Sequence, residues 1–172
     1  MQTNIKKGLE LGQGLVEYAL ILVLVGVVVI AILSVFGESL QRSFNCILIS
    51  IEVGGGDTPF TGFTLINADT DTPIQAVTCG GRIDLSNLPT NNLDIRADAR
   101  GSLGSVRFTL SGPTSRTQTE NFAPYALFGD SGGDFHGGTF SPGDYELTAT
   151  AFSESGGGGD NLGSLTIEFS VE

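Results

Sequence analysis

Glu17 is the residue of this chain best placed for chemistry. It follows Gly12-Gln13-Gly14-Leu15-Val16 and, with Tyr18, opens an apolar run. From Ala19 to Phe36 there is no charge, and Gly26 and Ser34 alone interrupt the apolar residues. An unpaired charge beside hydrocarbon costs roughly a few kcal/mol. A carboxylate in that place therefore asks for a cationic partner, and the chemistry it suits is charge pairing in an apolar setting. Other candidates are weaker. His136 is the single histidine, so no second His and no Cys–His pair can form a nucleophile and base. Asp130, Asp134 and His136 share one Gly-rich loop, and Asp69 and Asp71 share another. Such carboxylates suit Ca2+, but Asp in turns also caps backbone groups, and neither a metal nor a cofactor is expected. Asp144 and Glu146 read as a solvated strand face rather than a general acid and base. Phe135, Phe140 and Tyr125 have rings that would stack on sugars, although core packing accounts for most of them. No enzyme activity is expected.

Cys46 and Cys79 match no metal-site spacing. In an exported chain they suit a disulfide. The bridge would close a loop of about 34 residues and stabilise the fold by roughly 3–4 kcal/mol. Two unlinked thiols, with Cys46 buried as a small apolar residue, are the alternative.

The elements that must position these residues fall into two unlike halves. The chain has 172 residues, enough for one domain plus an added element. Its net charge is -11, and both lysines, Lys6 and Lys7, lie at the start. Without residues 1–12 the net charge would be -12. No basic stripe remains to meet phosphate, which argues against nucleic acid as a partner. Lys6 and Lys7 would hold the N-terminus on the cytoplasmic side of a membrane and send the acidic bulk outward. A helix is expected over 13–53. It is apolar all round at first, then carries one stripe through Leu40, Phe44, Ile47, Leu48 and Ile51. In lipid the many β-branched residues are forced into helix, because every backbone group must be satisfied internally.

The stretch GQGLVEYALILVLVGVVVIAILSVFG resembles the N-terminal signature of Flp-type pilins, the tight-adherence branch of the type IV pilin superfamily. The resemblance covers about 7–44. It implies a leader over 1–12, a prepilin peptidase cut after Gly12, and Gln13 as the first mature residue. It also implies that Glu17 neutralises the new amine of a neighbouring subunit, with Tyr18 beside it in the assembly helix. The partners it implies are other pilin copies, the peptidase and an assembly machine. The location implied is the membrane for the precursor and an extracellular pilus for the mature chain. Pilins of this branch are often little more than the helix, whereas this chain adds over a hundred residues. The rivals are a minor pilin or pseudopilin that primes a filament, a single-pass anchor displaying a binding module, and a lectin or enzyme in the second half.

Residues 54–59 read as a Gly-rich flexible linker. Beyond it the hydrophobic period changes to two, with strands expected at 63–67, 76–78, 82–85, 93–97, 105–110, 117–121, 145–152 and 165–171. The expected fold is α+β: the long apolar helix, then an all-β immunoglobulin- or fibronectin-like sandwich over 60–172. Pro142-Gly143-Asp144-Tyr145 before an alternating strand suggests a tyrosine corner. The tract 156–159 reads as a mobile hairpin loop. FTLINADTDTPI, TENFAPYALFGDSGGDF and PGDYELTATAF resemble an immunoglobulin-like module of secreted and surface bacterial proteins. That resemblance implies display or adhesion, with a surface or glycan ligand.

Overall fold

A computed structural model describes residues 14–32 and 58–172. One helix, α1 (Gly14–Ile32), forms the first part. The second part is almost entirely β. Its strands are β1 (Phe60–Asn67), β2 (Thr72–Val77), β3 (Gly81–Ile83), β4 (Leu93–Ala99), β5 (Ser105–Ser111), β6 (Arg116–Glu120), β7 (Tyr125–Ala126), β8 (Asp130–Ser131), β9 (Asp134–Phe135), β10 (Gly143–Phe152) and β11 (Asn161–Val171). The class is α+β, a helix followed by several sheets. Residues 33–57, including the expected C-terminal half of the helix and most of the linker, lie outside the described residues.

The strands form where side chains alternate. On β10, Tyr145, Leu147, Ala149 and Ala151 are buried while the residues between them face outward. That is the period of a half-buried strand. The chain then shuttles between two sheets. A four-stranded sheet runs β2-β1-β4-β7, and a five-stranded sheet runs β3-β11-β10-β5-β6. Pairing is antiparallel except that β3 lies parallel to β11, with Phe169 opposite Gly81. One core joins the inner faces: Phe63, Leu65 and Ile95 from the first sheet, and Phe108, Leu147 and Ile167 from the second. Each such side chain contributes about 1.5–3 kcal/mol by leaving water.

Two local devices shape the ends of this domain. The Tyr145 hydroxyl donates to the Ser141 carbonyl at 2.9 Å and accepts from the Ser141 N–H at 3.1 Å. That closes the corner suggested by the sequence and aims the ring inward. There it stacks on Phe169, its cross-strand partner, with centroids 5.4 Å apart. Phe140 meets both rings edge-on, a favoured aromatic geometry. The second device lies on the outer face of the four-stranded sheet. The β8–β9 hairpin places Phe135 over Ile66, Ala68 and Ala126 and makes a small second core.

All eight expected strands form, with shifted ends. The expected strand at 82–85 stops at Ile83, because Asp84 caps a 3-10 turn over Leu85–Asn87 by accepting from the Ser86 N–H at 3.0 Å. The two-residue strands β7, β8 and β9 were not expected, since two residues carry no readable period. The 156–159 tract is tied rather than free. Gly156 donates to Asn121 Oδ1 at 2.6 Å, and Gly157 donates to Ser105 Oγ at 2.9 Å.

Candidate functional site

The described helix is a bare apolar cylinder. α1 spans 19 residues, about 29 Å at 1.5 Å per residue. A bilayer core is about 30 Å thick. It is the one helix among the described residues that is long and apolar enough to cross a membrane. By length and composition it fits a membrane anchor or a signal sequence. Its large apolar side chains, from Leu15 to Ile32, are exposed within the chain. Glu17 is its single charged residue, one turn from its start, with Tyr18 exposed beside it. Gly12 and Gln13 lie outside the described residues.

Cys79 is disulfide-bonded. Cys46 is the only other cysteine in the sequence and lies outside the described residues.

Asp69, Asp71 and Asp130 of the β-domain loops accept hydrogen bonds from backbone or side-chain groups. Asp130 Oδ2 accepts from the Gly133 N–H at 2.7 Å within the hairpin turn. Asp134 is exposed on β9. Asp71 Oδ1 accepts from the Phe135 N–H at 2.8 Å, which pins the hairpin to the β1–β2 turn. Asp69 accepts from Thr90 Oγ1 at 2.5 Å and Asn92 Nδ2 at 2.8 Å. Those bonds, Thr90 first, hold its pKa below the usual carboxylate value. His136 Nε2 pairs with Ser131 Oγ at 2.8 Å across the hairpin. No group of three or more His, Cys, Asp or Glu among the described residues is arranged to hold a metal ion. Asp130 caps its own turn, and Asp71 holds a backbone N–H of the hairpin. Asp144 and Glu146 sit on the exposed face of β10, and Glu146 faces Glu168 on β11.

The three aromatic residues considered as sugar platforms are all core. Phe135, Phe140 and Tyr125 are buried, and the Tyr125 hydroxyl donates to the Leu103 carbonyl at 3.0 Å. In the described β domain Phe122 is the aromatic residue that stands fully in solvent, 81% exposed in the loop between β6 and β7. Its only signal in the sequence is position, between Asn121 and Ala123-Pro124 and outside any alternating run.

Sequence reading also missed Asp94. It lies second on β4, and alternation puts it on the outer face of the sheet, where a polar residue belongs. The structure leaves it with no exposed surface, beside the hairpin-covered second core. Asp94 Oδ1 accepts from the Ile95 N–H at 2.7 Å and the Phe128 N–H at 2.9 Å. Oδ2 has no hydrogen-bond partner among the described residues. Burial pushes its pKa up to about 7, against the opposing pull of the Phe128 and Ile95 N–H groups and of Arg116. Arg116 crosses between the sheets: its Nε donates to the Leu127 carbonyl at 2.8 Å, and its guanidinium lies 4.9 Å from the Phe128 ring centroid. A buried polar node thus ties β4, β6 and the segment after β7 together.

No family model matches the chain, and neither does any curated protein or solved structure.

Proposed function

We propose that this chain is a filament subunit of pilin type, made as a membrane precursor and polymerised through its N-terminal helix. The observation that carries this reading is α1: a helix of bilayer length, apolar on every side, with one carboxylate at its start. Such a surface is not stable in water, where burial is worth about 25 cal/mol per Å2. In the membrane it faces acyl chains, and in a fibre it faces copies of itself. Glu17 then finds its cation in the amine created by cleavage between Gly12 and Gln13 on a neighbouring copy. Removing one member of such a pair costs roughly 3–5 kcal/mol, so the pair sets the register of stacking. A head-to-tail contact of this kind does not close on itself and grows into a fibre.

The β domain is read as an immunoglobulin-like sandwich displayed on the fibre surface for attachment. Its support is the chain's alternation between two sheets, the β3–β11 parallel pair and the Tyr145 corner. N-terminal sequencing of material sheared from the cell surface tests the whole reading. A sequence beginning at Gln13 supports a processed filament subunit. Intact Met1 on a single membrane-seated molecule overturns it in favour of an anchored binding module.

A further inference from the structure

We propose that the groove beside Phe122 binds a neutral, hexose-containing glycan. The proposal rests on the reading of the β domain as the part of the fibre that attaches, and it gives that attachment a site. A groove of about 390 Å3 runs beside β4, walled by Arg96, Asp98, Ala99, Gly101, Ala123 and Pro124. Phe122 directly precedes Ala123 of that wall in the chain, and its side chain is exposed.

The loop carrying that ring is held at both ends. Asn121 Oδ1 accepts from the Gly156 N–H at 2.6 Å, and Tyr125 pairs with Ala97 while its hydroxyl bridges the Leu103 backbone. An aromatic side chain presented to water on a tied backbone is pre-organised for contact. The electron-rich face of a ring attracts the partly positive C–H groups of a pyranose.

The polar side of the groove supplies hydroxyl recognition. The Arg96 Nε and Nη2 groups each lie 2.7 Å from Asp98 Oδ1, and Thr64 Oγ1 donates to Asp98 Oδ2 at 2.6 Å. The pair is held in place, with side chains 34% and 26% exposed, and Arg96 keeps further N–H donors for ligand oxygens. Arg96 and Asp98 balance each other's charge, and the chain carries -11 overall. That field repels acidic sugars. The chemistry selected is a flat C–H face beside neutral hydroxyls.

Full-length protein in detergent micelles tests this with cellotetraose, maltotetraose and a galacto-oligosaccharide as neutral probes and tetragalacturonate as the acidic one. Binding of at least one neutral probe and not of tetragalacturonate is expected. Phe122→Ala should weaken it at least tenfold and Arg96→Gln severalfold, while Leu162→Ala, an exposed apolar change on β11, leaves it unchanged. No neutral probe bound, preference for tetragalacturonate, or a Phe122→Ala variant that binds as well as the parent would each overturn the proposal. Fibre formation, scored separately by electron microscopy, keeps the two readings apart: Phe122→Ala should still form fibres. Glu17→Ala should form none yet bind the sugar in micelles.

Discussion

Asp94 shows how one residue can set the pH response of a domain. Its folded pKa of about 7 exceeds the ordinary 3.8, so between those values the folded state holds a proton that the unfolded state gives up. Stability from this group is therefore greatest below about 4 and falls as pH rises towards 7. A shift of that size corresponds to about 4 kcal/mol. Asp69 and Asp84 act in the opposite sense. Hydrogen bonds from Thr90 and from Ser86, respectively the largest causes, lower their values, so what they contribute is lost only as pH falls below 3.8. Between pH 4 and 7 the contribution of Asp94 therefore changes, while those of Asp69 and Asp84 are largely complete. Calorimetric melting of the parent and of Asp94→Asn across that range should show a decline with pH in the parent beyond that of the variant. Parallel curves would mean that Asp94 is not a proton holder. At the other end of the chain, Glu17→Ala should abolish surface fibres while the protein still fractionates with membranes. Normal fibres from that variant would remove the charge pair from the assembly scheme.

The elements differ in how openly the sequence declares them. β10 alternates along its length and β11 in its C-terminal half, so the existence of both strands and their buried faces there were legible. α1 was legible from composition alone, because an uninterrupted apolar segment allows little else. β7, β8 and β9 are two residues each; β7 exists because β4 offers it a partner, and β8 and β9 pair with each other. Connections are decided by close approach, and among the described residues Gly104 is the sharpest case against backbone. It leads into β5 and donates to the Phe152 carbonyl at 2.9 Å. A Cβ there would lie 2.3 Å from the Ser153 carbonyl carbon, which is backbone and cannot swing aside. Gly104→Ala should cost about 3 kcal/mol, the upper range for overpacking, read as a lower urea midpoint. A midpoint equal to the parent's would mean that the β5–β10 junction yields freely.

At the scale of the molecule, the halves obey different solvents. The helix suits hydrocarbon, and the β domain, acidic and free of lysine from residue 58 onward, suits water. The disulfide at Cys79 belongs to the second. If it closes the loop from Cys46, reduction should remove roughly 3–4 kcal/mol. That corresponds to a fall in Tm on the order of 10 °C or more for a domain of this size. Melting with and without reductant measures it, and an unchanged Tm would show that the bridge adds nothing to stability.

Local order in this protein was written in the sequence. Alternation marks each long strand, an unbroken apolar run marks the helix, and the Gly-rich tract marks where the period changes, because each is a property of neighbours along the chain. Exposure was not. The sequence left open which of Phe135, Phe140 and Tyr125 would be covered, and all three are core; Phe122 stands in water, and Asp94 is covered on a face that alternation assigns to solvent. Which side chain meets water depends on which distant segment lies over it. The β8–β9 hairpin reaches the outer sheet face through contacts some sixty residues apart in sequence, such as Asp71 with Phe135. Only the folded chain holds that information.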